Sequence, residues 1–221
     1  MTPRELLRTG AGELGVALTV EQINSLFIYL AELKKWNRKI NLTAITEDRD
    51  MVIKHVLDSL SYLKGFTPAP GLRLLDMGSG AGFPALPLKI AFPEIAVTLV
   101  ESVKKKASFL RHIMRTLKLT GAEIIDKRTD ELPGSLSAVF DVVTARAFAD
   151  MEKALSLGVP FLKESGLIVL SRGPEETLAE PALAKAGVSL KKRIEQILPH
   201  SEYKRAIWVF TKRVDVPRGT P

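Results

Sequence analysis

LRLLDMGSGAGFP, from Leu72 to Pro84, is the stretch that decides the fold of this 221-residue chain. Leu72, Leu74, Leu75, Asp76 and Met77 form the near-continuous apolar run of a strand buried on both faces of a parallel sheet. Gly78, Gly80 and Gly82 follow at alternate positions. Without Cβ atoms they can take positive φ and let a ligand lie directly against the backbone. Pro84 is preset for the first turn of a helix, where its missing N–H costs nothing. A strand passing through such a turn into a helix aims free N–H groups at whatever lies beyond the carboxyl end of the sheet.

Glycine-rich turns serve several nucleotide ligands, and spacing separates them. A dinucleotide fingerprint needs Gly or Ala where this chain has Phe83, and a P-loop needs Gly-Lys-Ser/Thr; neither is present. Instead Asp76 lies two residues before the first glycine, giving D-x-G-x-G-x-G, which resembles the S-adenosylmethionine turn of class I methyltransferases. A second strand, Ala96 to Val100, ends in Glu101, about where a ribose-binding acid follows the glycine turn in βαβ nucleotide sites. The same carboxylate could instead charge the N-terminus of the helix beginning near Val103, an effect of about 0.3–1 kcal/mol.

Beyond the turn, strands and helices alternate. Strand 72–77, helix 84–92, strand 96–101, helix 103–118 and strand 122–127 lead to strand Phe140–Thr144, helix Asp150–Leu162 and strand Leu167–Ser171. This rhythm predicts a parallel sheet. Val188–Leu198 and Tyr203–Lys212 are strand-like runs joined by a short turn, which predicts an antiparallel final pair. Ahead of the sheet the chain is helical. Thr19 and Gln22 form a capping box before Ile23, Leu26, Phe27, Leu30 and Leu33, and a second helix carries Ile53, Val56, Leu57 and Leu60 before Gly65. The prolines of Phe66–Gly71 mark a boundary. The expected division is a helical extension over 1–66, a Rossmann-like α/β domain over 67–213 and a tail over 214–221.

Composition narrows the function class. No apolar run reaches the length of a membrane span and the amino terminus lacks a signal-peptide core, so a cytoplasmic location is expected. Cysteine is absent, which removes disulfides, thiolate metal sites and a cysteine nucleophile. With three histidines, His55, His112 and His200, no metal centre is expected. The net charge of +7 comes mostly from beyond residue 70, and the runs Lys104–Lys106 and Lys191–Arg193 could meet phosphate. Taken alone, each run is more often a solvated face.

The chain also carries WNRKINLTAI (Trp36 to Ile45), HVLDSL (His55 to Leu60), DMGSGAGFPALPL (Asp76 to Leu88), VESVKKKASFL and ARAFA (Ala145 to Ala149). In this order the strings resemble the bacterial 16S ribosomal RNA (guanine-N7) methyltransferase family, historically called glucose-inhibited division protein B. The family usually has Gly where this chain has Ala85. The resemblance implies methyl transfer from S-adenosylmethionine to N7 of one guanine of small-subunit rRNA, with 16S rRNA or the small subunit as partner and a monomeric enzyme. Guanine N7 has an in-plane lone pair, so no catalytic base is expected. The cysteine of cytosine C5 chemistry is missing, and the place of an exocyclic-amine Asp/Asn-Pro-Pro-aromatic loop reads TARAFA.

The expected cofactor-binding set is Asp76, Gly78, Gly80, Phe83, Glu101, Thr129, Asp130 and Arg146. Thr129, Asp130 and Arg146 enter it through the resemblance; capping of a short turn by Thr129 or Asp130, and a surface salt bridge at Arg146, are the plain alternatives. Arg146 could also donate to guanine O6 or a phosphate. His55 and Asp58, one helical turn apart, could border the cleft, brace the extension against the sheet or form a solvated polar face. Trp36 is expected to close a core rather than stack on a base. Two other function classes use the same features: an NAD or FAD oxidoreductase, and an RNA-binding factor that keeps the cofactor as a structural ligand.

Overall fold

A computed structural model of the chain describes residues 1–146 and 148–213; the expected tail at 214–221 lies outside the described residues. Helices α1 (Pro3–Glu13) and α2 (Val20–Asn37) begin on capping boxes at Thr2 and Thr19. α3 (Asp48–Met51) runs through a π-helical stretch (Val52–Leu57) into α4 (Asp58–Leu60). Strands β1 (Arg73–Met77), β2 (Ala96–Val100), β3 (Ala122–Ile125), β4 (Phe140–Arg146) and β5 (Leu162–Arg172) alternate with α5 (Ala85–Ala91), α6 (Lys104–Thr116) and α7 (Met151–Gly158). α8 (Glu180–Ala186), β6 (Val188–Ile197) and β7 (Lys204–Lys212) complete the described chain.

The strands form one sheet in the order β3–β2–β1–β4–β5–β7–β6. β1 to β5 are parallel, and β7 runs antiparallel between β5 and β6. The mostly parallel sheet with an antiparallel end is thus as expected. Alternate residues of β1 enter opposite cores: Leu74 faces a cluster built with α1, α2, α5 and α6, while Leu75 and Met77 face one built with α7 and α8. The helical extension shares the first cluster with the sheet, through Tyr29, Leu33, Leu57 and Leu60 among others.

Three local departures have physical causes. The helix expected over 150–162 stops at Gly158 and passes through a 3-10 turn (Val159–Phe161), because Pro160 has no N–H to continue it. β5 therefore starts early, at Leu162, and pairs with Phe140 before an irregularity in register. The helix around His55 widens into a π stretch, which changes which side chains face inward. α8 carries too short an apolar pattern, Leu183 and Ala186, to stand out in the sequence.

Helix α2 is pinned to the glycine turn by the buried Tyr29 hydroxyl, which donates to the Ala81 carbonyl. Gly82, at φ +96°, has no room for a side chain: an added Cβ would stand 2.5 Å from Leu86 Cδ1 and 2.9 Å from the Tyr29 hydroxyl. Gly82→Ala is expected to lower stability by about 1–3 kcal/mol, read as a lower urea midpoint at an unchanged m-value.

Candidate active site

β1 has β2 on one side and β4 on the other, and the chain leaves it toward β2, so the crevice beyond β1 and β4 lies at a switch point of the sheet. The glycine turn opens there with Gly78 at φ +64°, Gly80 at +58° and Gly82 at +96°. The Ser79 N–H donates to the Val100 carbonyl at 2.9 Å. Glu101 clasps the turn to α6: its carboxylate accepts the Gly80 N–H at 2.8 Å and the Val103 N–H at 2.7 Å. One oxygen serves the start of the helix, as the plain reading of Glu101 expected, and the other serves the turn itself.

A cleft of about 210 Å³ beside the turn is lined by Gly78, Val100, Ser102, Thr129, Asp130 and Phe148, among others. Gly78, Thr129 and Asp130 are therefore brought together as expected. Thr129 is buried at the start of a 3-10 turn (Thr129–Glu131), and Asp130 accepts from Arg128 at 3.0 Å. Neither caps that turn; Glu131 instead reaches back to the Arg128 N–H at 3.4 Å.

Asp76 lies wholly buried at the end of β1. Thr144 donates to its Oδ1 at 2.9 Å, whereas Oδ2 has no partner among the described residues. Burial pushes this carboxyl up to about 7, with the Thr144 and Ser79 hydroxyls opposing the shift.

Asp76, Gly80, Phe83, Glu101 and Arg146 do not line this cleft, and of these Phe83 and Arg146 turn toward the helical extension. The Phe83 ring is 4% exposed and stacks on Tyr29 at 5.2 Å and on His55 at 4.5 Å. Removing an aromatic ring from water outweighs leaving it on the cleft wall. The Arg146 guanidinium, 5.1 Å from the Phe83 ring, turns toward the helical extension. It donates to the Lys54 carbonyl at 3.1 Å, to Asp58 Oδ2 at 3.3 Å and to His55 Nδ1 at 2.9 Å.

His55 and Asp58, each 3% exposed, are not a solvated face. They brace the extension against the sheet. Because a guanidinium only donates, His55 Nδ1 must accept, and its Nε2–H is left to donate to the Thr43 hydroxyl at 2.8 Å. Burial and the Arg146 charge hold this imidazole neutral, its pKa lowered to about 3. Asp58 also accepts from Arg205 at 3.2 Å. Trp36 packs against the first core, 5.7 Å from Phe109, as a core-closing residue.

Sequence reasoning missed Phe148, Arg172 and Arg205. An added Cβ at Gly78 would run into the Phe148 ring, so this aromatic stands directly over the turn. Arg172 ends β5 as Arg146 ends β4, and in a parallel sheet both strand ends share one edge. That repetition was a readable signal. Arg205 reaches the same edge because β7 runs the opposite way and begins there.

Comparison with known proteins decides the family. Residues 22–208 match the family described as rRNA small subunit methyltransferase G. The chain belongs to that family. Its methyltransferase relatives include Ribosomal RNA small subunit methyltransferase G of a Geobacter species, 48% identical with 77% of each chain covered. The protein of the same name from Geobacter metallireducens is 40% identical over 95% of this chain and 96% of the relative. Among solved structures, a SAM dependent methyltransferase from Aquifex aeolicus superposes with a TM-score of 0.56 at 17% identity, covering 71% of this chain and 90% of the other. The fold is thus that of enzymes that use S-adenosylmethionine. No helix among the described residues is long and apolar enough to cross a membrane.

The family's turn fits a cationic adenosyl cofactor on three observations. Gly78 leaves backbone open to the cleft, Glu101 has used one lone pair on each oxygen, and Asp76 keeps an unpaired oxygen beneath the turn. Asp76 also links the site to stability. Between pH 3.8 and about 7 the fold retains a proton that the unfolded chain has lost, so this group destabilises the fold increasingly as pH rises through that window. His55 acts in the opposite sense between about 3 and 6.5, where the unfolded chain gains a proton that the fold does not. Asp76→Asn is expected to gain on the parent protein by up to ~1.4 kcal/mol per pH unit until about pH 7 and then level off. Urea unfolding of both proteins at pH 5, 6, 7 and 8 reads this difference.

Proposed function

We propose that this enzyme transfers a methyl group from S-adenosylmethionine to N7 of one guanine of 16S rRNA, acting as a cytoplasmic monomer on the rRNA or the small subunit. The observation that carries the choice of atom is the state of the groups at the acceptor edge. His55 is neutral with both ring nitrogens engaged, both oxygens of Asp58 accept from arginines, and the chain contains no cysteine. Among the described residues, none of these groups is free to take a proton or to attack a base. An acceptor that is nucleophilic as it stands, such as guanine N7, suits such an edge.

When bound, S-adenosylmethionine supplies a methyl group on a cationic sulfur. The chain's own part is to hold the cofactor. Backbone at Gly78 and Gly80 meets the cofactor, with Glu101 at the ribose and Thr129 and Asp130 at the adenine. Asp76 sets the charge beneath the turn. Phe83 and Arg146 support from behind, Phe83 by packing under the turn and Arg146 by locking the extension to β4. Phe148 stands beside Gly78 in the lining of the cleft. Alignment of this kind can contribute roughly 7–11 kcal/mol to a two-reactant step.

Labelled methyl from S-adenosylmethionine is expected at a single guanine of 16S rRNA, with N7-specific strand scission mapping it. Label at any other atom overturns the N7 assignment. Glu101→Gln replaces one acceptor with a donor facing a backbone N–H. Affinity for S-adenosylmethionine, measured by titration calorimetry, should fall about 10- to 100-fold.

A further inference from the structure

A second cleft, of about 340 Å³, opens between the Lys54–Asp58 turn of the helical extension and the carboxyl ends of β4 and β5. Four cations line it, Lys54, Arg146, Arg172 and Arg205, against two carboxylates, Asp58 and Glu176. Three of the cations are held within the protein: Lys54 on Asp50 at 2.8 Å, Arg146 on the Lys54 carbonyl, His55 and Asp58, and Arg205 on Asp58. Arg172 is not. Its side chain is only 9% exposed, yet Nε and Nη2 are both buried without a hydrogen-bond partner among the described residues. Glu176 Oε1 stands 3.9 Å from Nε, beyond hydrogen-bonding reach. A buried guanidinium edge with no acceptor is costly, so its placement calls for an acceptor that the described residues do not supply.

We infer that this cleft is an anion subsite that takes one phosphodiester group of the RNA beside the acceptor nucleotide, with Arg172 as its principal donor. The inference rests on the RNA reading above. Nε and Nη2 form one edge of the guanidinium fork, which matches two oxygens of a phosphate. The O6/N7 edge of guanine would also match the fork, but N7 must stay open to the methyl group. The cationic excess of the cleft favours the charged group over the neutral base. Arg146 pairs in register with Ser171, which puts Arg172 one residue further out on the neighbouring strand. A phosphate there would lie at the acceptor edge, outside the lining of the cofactor cleft. Glu176, across from the guanidinium, competes with the incoming anion.

The test uses the full chain and a fluorescent single-stranded RNA oligonucleotide containing one guanosine, read by anisotropy from low to moderate KCl. Arg172→Gln should weaken binding about 10- to 100-fold and reduce the salt slope by about 0.7, the value for one single-strand phosphate. Replacing one linkage beside the guanosine with neutral methylphosphonate should weaken binding to the parent protein by a similar factor and leave the variant unaffected. Glu176→Gln should tighten binding in the parent protein and do so less in the Arg172→Gln background, a coupling that a merely structural Arg172 would not produce. Affinity for S-adenosylmethionine should be unaltered in both variants. Unchanged RNA affinity and slope in Arg172→Gln, or no binding of the oligonucleotide by the parent protein, overturns the subsite. Loss of cofactor affinity in place of RNA affinity also overturns it, assigning Arg172 to the cofactor's carboxylate. Methylation at an atom other than N7, with the Arg172 and methylphosphonate effects intact, removes the N7 reading and upholds the subsite.

Discussion

Between Met77 and Ala85 the backbone reverses direction with three glycines at positive φ, and the surrounding chain is arranged to hold that reversal in place. No L side chain adopts these angles cheaply, and at Gly78 and Gly82 none would fit. Glu101 ties the turn to α6, Tyr29 ties it to α2, and Val100 ties it to β2. Each tie comes from a different part of the chain, so the turn is over-determined. The bare backbone it exposes is what a cofactor can approach.

The helical extension is joined to this turn through chemistry as well as packing. Phe83 leaves the turn and enters the stack of Tyr29 and His55, and Arg146 closes the same stack from β4. Asp58 then gathers Arg146 and Arg205, which belong to strands that run in opposite directions. Replacing a buried pair with apolar groups can be neutral, whereas removing one member leaves an unpaired charge. The network therefore specifies one docking of the extension on the sheet more than it adds stability.

Two clefts follow from the two directions in which the sheet edge is lined. Toward β2 the wall combines the turn backbone, Ser102, Thr129 and the Phe148 ring with the charged Lys127, Arg128, Asp130 and Lys153. Toward β5 and β7 it is guanidinium, suited to an anion. Arg146 lines the second cleft and stands 5.1 Å from the Phe83 ring, which packs on Tyr29 and His55 instead of lining either cleft.

The alternation of strands and helices, the glycine turn, the capped start of α2, the antiparallel final pair and the family were legible in the order of residues. These depend on periodicity, backbone freedom and motif order, all carried by neighbours along the chain. The same order also brought Gly78, Thr129 and Asp130 to one cleft. What His55, Asp58 and Arg146 do follows from the packed fold, because Arg146 meets the other two from about ninety residues away along the chain and both are buried there. Burial is the largest cause that raised Asp76 and lowered His55, the latter with the Arg146 charge, and both causes are properties of the fold rather than of the residue. Arg172 shows the same division: its position at a strand end is written in the chain, while its unpaired donors exist only because the strands beside it exclude water.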